Sequence, residues 1–333
     1  MRKANHYVAQ SYQMRFCNSE GLICVYDKET LRVKPQPPKR TAVMTHLYTI
    51  ETDNGEKSDI LEREVFDPLD GTIVAYINRW IEPGYHIPDA DIPTMAYYLA
   101  FQHARVPRNI EMFKELGTAI AVKILKDASA NKKQMDEDYE RMKASVNGVC
   151  PISREQYQEW FENLEKHFKF ELKDDFSLGM TISAGVPPYY NAFCNMEWCI
   201  IDAPQGSHFI TCDAPVVSVA YVAPGVAQYG VNLASPNFEA IFPLSPTVCL
   251  WLRKIKGQKR FRCDSKRVDD FNYRTAFMAE RYIFSHQDSS KTRSLLQKTA
   301  KTIRQPKINR DDLYRRMDAK ARLGPLYDPR AVY

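Results

Sequence analysis

Glycine is scarce in this sequence, 13 in 333 residues, and the glycine-dependent catalytic loops are missing. There is no G-x-S-x-G elbow, no Walker loop and no dinucleotide fingerprint, and H-E-x-x-H does not occur either. These absences exclude esterases of the nucleophile-elbow type, P-loop nucleotidases, Rossmann dehydrogenases and zincin proteases. No apolar run reaches the ~18 to 20 residues that a membrane span requires. No apolar segment follows the positively charged start MRKANHYVAQ, so a secretory signal is not expected and a cytoplasmic, non-membrane protein is. The eight cysteines contain no C-x-x-C pair, the tightest interval being Cys194 to Cys199. They read as reduced, buried small hydrophobes rather than as disulfides or a zinc site.

Hydrophobic residues make up 44% and charged residues 26%, enough apolar material for a sizeable core. The net charge of +5 is unevenly placed. Residues 251–333 hold 22 Lys and Arg against 9 Asp and Glu, leaving 24 against 32 for residues 1–250. Two readings fit this asymmetry. Either the basic last quarter binds nucleic acid or another anionic partner, or it is a solvated face that attracts the acidic front of the same molecule.

Along the chain, Leu22–Asp27 and Met44–Ile50 read as strands that could pair around the proline-rich connection Val33–Arg40. Over residues 57–82 the period changes to three and four (Ile60, Leu61, Val65, Leu69, Ile73, Ile77, Trp80), predicting an amphipathic helix interrupted near Pro68. Asp91 with Pro93 announces a helix to about Ala104, and helices are predicted over 109–128 and 131–143. Ser153 and Gln156 form a capping box, followed by the apolar face Tyr157, Trp160, Phe161, Leu164 and Phe168. From about residue 190 short β runs follow one another without helices between them, predicting a mostly antiparallel sheet. Helices over 268–285 and 289–303 close the chain. The fold class is α+β: a helical N-terminal and middle part packed on a mostly antiparallel β section, with closing C-terminal helices. The expected organisation is one compact domain, 1–305, of two subdomains (1–188 mainly helical, 189–305 β-rich), and a basic surface tail, 306–333.

Four polar constellations stand out. His6 and Gln10, if extended, share one face of a strand, placing an imidazole beside an amide. Glu62, Glu64, Asp67 and Asp70 form an acidic cluster, of which Glu64, Asp67 and Asp70 line one helical stripe; such carboxylates hold Mg²⁺ or Mn²⁺ in phosphodiester-cleaving enzymes, or are simply a wet helix face. Gln102 and Arg105 are neighbours on a last helical turn, where the guanidinium suits phosphate or an internal salt bridge to that acidic stripe. Asp213 ends an apolar strand before Pro215, a station for a catalytic carboxylate or for a turn cap.

HYVAQSYQMRF followed by a VYD strand, QHARVPR, FITCDAP and FPLSP together resemble, in that order, bacterial proteins grouped as domain-of-unknown-function family 4238, over about residues 5–285. Ala9 stands where the family usually has proline, Ala214 where it has asparagine, and Asp70 where it has glutamate. The resemblance implies that His6, Gln10, Glu64, Asp70, Gln102, Arg105 and Asp213 occupy motif positions and could converge on one pocket. The first hypothesis is a metal-assisted hydrolase of phosphodiesters or similar anionic substrates, a nuclease among them. Glu64, Asp70 and Asp213 would hold Mg²⁺ or Mn²⁺, His6 would act as acid or base, and Arg105 would stabilise phosphate charge. The second is a non-enzymatic binding protein in which the same network locks the N-terminal segment and the basic last quarter binds the partner.

Overall fold

The computed structural model describes residues 4–52, 54–145, 152–163, 170–223, 226–229, 233–302 and 308–322. The chain is α+β and forms two compact units, Met1–Ile110 with Leu178–Gln305, and Glu111–Ser177 with Pro306–Tyr333. The division differs from the expected 1–305 domain with a trailing tail. The described part of that tail is a helix, Arg310–Arg322, in the second unit. There the Tyr314 hydroxyl donates to the Ala119 carbonyl at 3.1 Å and Asp318 meets Lys123 at 2.8 Å. The capping box is present in both halves, Ser153 accepting from the Gln156 amide and the Gln156 side chain accepting from the Ser153 amide. Leu164 and Phe168, expected on the same helix, lie outside the described residues.

The first unit carries two larger sheets. One runs in the order Val226–Tyr229, Val217–Ala223, Phe238–Pro243, Val248–Arg253, Glu197–Asp202 and Arg260–Arg262, antiparallel except for its last pair. The other runs Val33–Gln36, Ile23–Asp27, Tyr282–Ser285 and Thr211–Cys212, antiparallel throughout. Two expectations are corrected here. The helix over 268–285 ends at Met278, and Tyr282–Ser285 is instead a strand inside the second sheet. Ile283 and Phe284 are fully buried there, so sheet pairing overrides the helical period that precedes them. Met44–Ile50 is not one strand: Ala42 and His46 take left-handed backbone, φ 52° and 59°, and bracket a short strand Val43–Thr45. That strand pairs with Ala4–His6, not with Ile23–Asp27.

The charge asymmetry is met inside the first unit. Arg260 forks onto Asp202 (2.6 and 2.8 Å), Arg274 meets Glu239 at 3.0 Å, and Arg281 meets Asp27 and Glu29 at 2.9 Å each. In each case a cation of the basic last quarter binds a carboxylate of the acidic front. The seven described cysteines, 17, 24, 194, 199, 212, 249 and 263, are free thiols, and no helix among the described residues is long and apolar enough to cross a membrane.

Candidate acid–base site beside the N-terminal strand

The site is built by the strand Ala4–His6, the helix that begins with a π turn at Glu62–Phe66 and continues as Asp67–Trp80, and the helix Ile92–Ala104. The first helix buries Glu62, Phe66, Ile73, Ile77 and Trp80. With Asp70 these positions are spaced four, four, three, four and three apart, the repeat of one helical stripe. Two carboxyls therefore sit on or beside the inward face, in line with the core residues. A π turn at that point fits the tendency of such bulges to occur at functional positions.

Arg105 is the anchor. It is 1% exposed, and its guanidinium grips Asp70 with two parallel bonds of 2.8 and 3.0 Å. Its Nε also donates to Gln102 Oε1 at 3.0 Å, while Gln102 Nε2 donates to the Tyr7 carbonyl at 2.8 Å. The Tyr48 hydroxyl donates to the Arg105 carbonyl at 3.1 Å. Phe66 lies under the guanidinium at 5.5 Å, a cation–π contact. Of the two roles open to Gln102 and Arg105, the internal salt bridge to the acidic helix is the one formed.

His6 and Glu62 both lie within electrostatic reach of that ion pair. Burial lowers the His6 pKa below its ordinary value. The Pro38 and Lys39 backbone and Asp70 oppose that shift, and Arg105 adds to it. The ring is therefore neutral at pH 7. With backbone carbonyls bound to one ring nitrogen, the other, Nε2, is an acceptor; it is buried and has no partner. Glu62 is 7% exposed. Burial, then the neighbouring Asp67, push its carboxyl up to about 7, against the pull of Arg105 and a hydrogen bond from Asn5. Its Oε2 is likewise buried and unpartnered. An unpaired buried polar atom is costly and calls for a reason, and here a ring nitrogen and a carboxyl oxygen are left so on two groups that both feel the Arg105–Asp70 pair.

The other expected site residues are placed elsewhere. Gln10 is exposed and opens the helical turn Gln10–Gln13, because the chain leaves extended geometry after His6; the shared strand face is not formed. Glu64 points outward with a 61% exposed side chain bonded to Arg63 at 2.9 Å. Asp213 is 1% exposed, and its two oxygens accept the amides of Glu280, Arg281 and Tyr282, each at 2.8 Å. Its charge acts on Tyr7 rather than on His6, so consecutive residues of the N-terminal segment address different polar clusters. In that second cluster burial raises the pKa of both Asp213 and Glu280, Glu280 to about 8. Three amide donors hold the charge on Asp213, which places the proton on Glu280.

The expected metal trio Glu64, Asp70 and Asp213 is consequently not assembled: the first faces solvent, the second is committed to Arg105, the third to backbone amides. Among the described residues no group of three His, Cys, Asp or Glu side chains comes together to hold an ion. Glu62, named in the acidic cluster but neither on its stripe nor among the expected site residues, is the carboxyl that is buried, with Asn5 as its hydrogen-bond partner and the turn Pro38–Arg40 carrying the backbone partners of His6. Lys39 and Arg40 on that turn are exposed, and their side chains make no ion pair among the described residues.

No curated protein and no solved structure shows significant similarity to the chain. A family model does match, and it spans residues 4–289, from the strand carrying His6 past the sheet strand at Tyr282–Ser285. By that match the chain belongs to the family described as Protein of unknown function (DUF4238).

Proposed function

We propose that His6 and Glu62 form the proton-transfer pair of a hydrolase acting on anionic esters, with phosphodiesters as the first class to test. The observation that carries this reading is the pair of buried, unpartnered atoms, His6 Nε2 and Glu62 Oε2, on two groups that both feel the charges of the Arg105–Asp70 fork. A neutral imidazole with a free acceptor nitrogen suits the base that activates water. A carboxyl with its pKa near 7 suits the acid that protonates the leaving oxygen. Lys39 and Arg40 supply positive charge at the turn next to His6, which favours an anionic substrate. Arg105 and Gln102 act as positioning residues, since their donors are taken up by Asp70, Gln102 and Tyr7. The free thiols suit a reducing, cytoplasmic setting.

The test is turnover of bis(4-nitrophenyl) phosphate, 4-nitrophenyl phosphate and 4-nitrophenyl acetate by the purified full-length protein. His6→Ala and Glu62→Gln are expected to lower kcat by about 100-fold or more. Glu64→Ala, on the wet face, is expected to leave it within about twofold. Full activity in Glu62→Gln, or no turnover of any ester by the wild type, would overturn the reading.

A second reading has a specific observation behind it. Gln102 and Tyr48 tie the helix end at Arg105 to the Tyr7 carbonyl and to the segment after Val43–Thr45, which locks the N-terminal strand in place. In that case His6→Ala and Glu62→Gln change stability and no turnover exists to lose. Nucleic-acid binding by the basic last quarter would be a property of that second protein, and it must compete with the internal ion pairs of Arg260, Arg274 and Arg281. Its mark is affinity that falls steeply with salt.

A further inference from the structure

A cavity of about 400 Å³ lies in the first unit, away from the site above and unused by the proposed reaction. Its walls are the loop at Gly206–His208, one face of the helix Ser265–Met278, the end of the strand Tyr282–Ser285, and the helix Ser290–Thr299. The loop is fixed rather than slack. Asn272 on the first helix accepts from the Ile210 amide at 3.0 Å and donates to the His208 carbonyl at 2.8 Å.

The lining has a definite chemistry. His208 and His286 meet with tilted rings, centroids 4.5 Å apart, and His286 Nδ1 is buried without a partner. Lys298 lines the cavity and makes no ion pair among the described residues; Lys291 lines it too and shares Asp269, the one acidic residue of the wall, at 3.3 Å. Cations thus outnumber carboxylates, and hydroxyls and ring nitrogens add further hydrogen-bonding capacity. Against these stand apolar and aromatic surfaces, including Tyr273, which is 42% exposed. A cavity of that size encloses a ligand of nucleotide dimensions. Ammonium groups and hydroxyls recognise phosphate oxygens, and an exposed tyrosine ring offers a face on which a flat ring can stack. Both lysines lie beyond residue 289, where the family match ends, so the basic wall belongs to this chain's own C-terminal part.

We propose that this cavity binds a small phosphorylated organic molecule of mononucleotide size. The probes are AMP, UMP and 4-nitrophenyl phosphate, titrated calorimetrically into the full-length protein, with adenosine and inorganic phosphate as the two halves of the ligand. At least one of the three organic phosphates is expected to bind with Kd below about 1 mM. The double variant Lys291→Ala/Lys298→Ala should weaken it about tenfold or more. Both lysines are exposed, so the variant is expected to fold, and an unchanged melting curve verifies this. Tyr273→Ala should weaken the organic phosphate and leave inorganic phosphate unchanged. Absence of binding by all three probes at about 10 mM, or affinity unaltered in the double variant, overturns the proposal. So does binding confined to a single-stranded oligonucleotide, which would indicate an extended basic face instead of a cavity.

Discussion

Arg105→Ala is expected to lower the free energy of unfolding by about 3–5 kcal/mol, read as a shift of the denaturant midpoint. The cause is what the substitution leaves behind. Asp70, with a 20% exposed side chain, loses both bonds of its fork, and Gln102 Oε1 loses its donor in a buried position. Removing one partner of a buried pair strands the other charge, whereas removing both together costs less than the sum. Asp70→Ala is therefore expected to be about as damaging as Arg105→Ala. The combination Asp70→Leu with Arg105→Met should cost less than the two single changes added. Strict additivity would contradict the picture of one fork holding the helix Ile92–Ala104 to the acidic helix.

Asp213→Ala is expected to be of similar size, about 3–5 kcal/mol, for a different reason. The substitution removes the acceptor for three successive backbone amides, 280 to 282, in a site that is 1% exposed. Those amides are the entry to the strand Tyr282–Ser285, which sits between two neighbours of its sheet. Asp213→Asn should fall between wild type and alanine, because one oxygen survives while the new amide donor faces backbone donors. Hydrogen exchange at residues 280–282 reports the effect locally, with faster exchange expected in both variants. An Asp213→Ala protein of wild-type stability that had lost ester turnover would return Asp213 to the catalytic set.

Much of this architecture was legible in the sequence. The Ser153 capping box and the helix Ile92–Ala104 with Pro93 in its first turn follow from local rules that depend on few residues close in the chain, although Asp91 does not cap that helix: its carboxylate accepts from Arg79 and Trp80, each at 3.2 Å. The strand Tyr282–Ser285 was not legible, since its identity depends on pairing with Ile23–Asp27, more than 250 residues away in sequence. Gln10 does not share a strand face with His6, because alternation ends with the strand Ala4–His6 and the backbone is helical from Gln10. The Glu64–Asp70 stripe failed for an instructive reason. Reading back from Trp80 and Ile77 through Ile73 and Phe66 leads to Glu62, not Glu64, on the buried face. Register with the core positions is what singles out Glu62 as the buried member of the acidic cluster. The unpaired atoms of Glu62 and His6, and the three amides that occupy Asp213, arise from tertiary contacts that no local pattern encodes.

The acid–base reading makes Glu62 the most informative group in the protein. Its folded-state pKa near 7 lies above the ordinary 4.5, so the native state binds more protons than the unfolded state between those values. Its contribution to stability is therefore complete below about pH 4.5 and falls as pH rises to about 7, by a total on the order of 3 kcal/mol. Glu62→Gln should remove that slope. The decisive measurement is the titration of Glu62 itself, followed by the carboxyl ¹³C shift in glutamate-labelled protein and assigned by its loss in Glu62→Gln. A midpoint near pH 7 that moves when Arg105 is replaced is the expected result. A midpoint near 4.5, indifferent to Arg105, would contradict a proton-transfer role and leave the network as a structural lock.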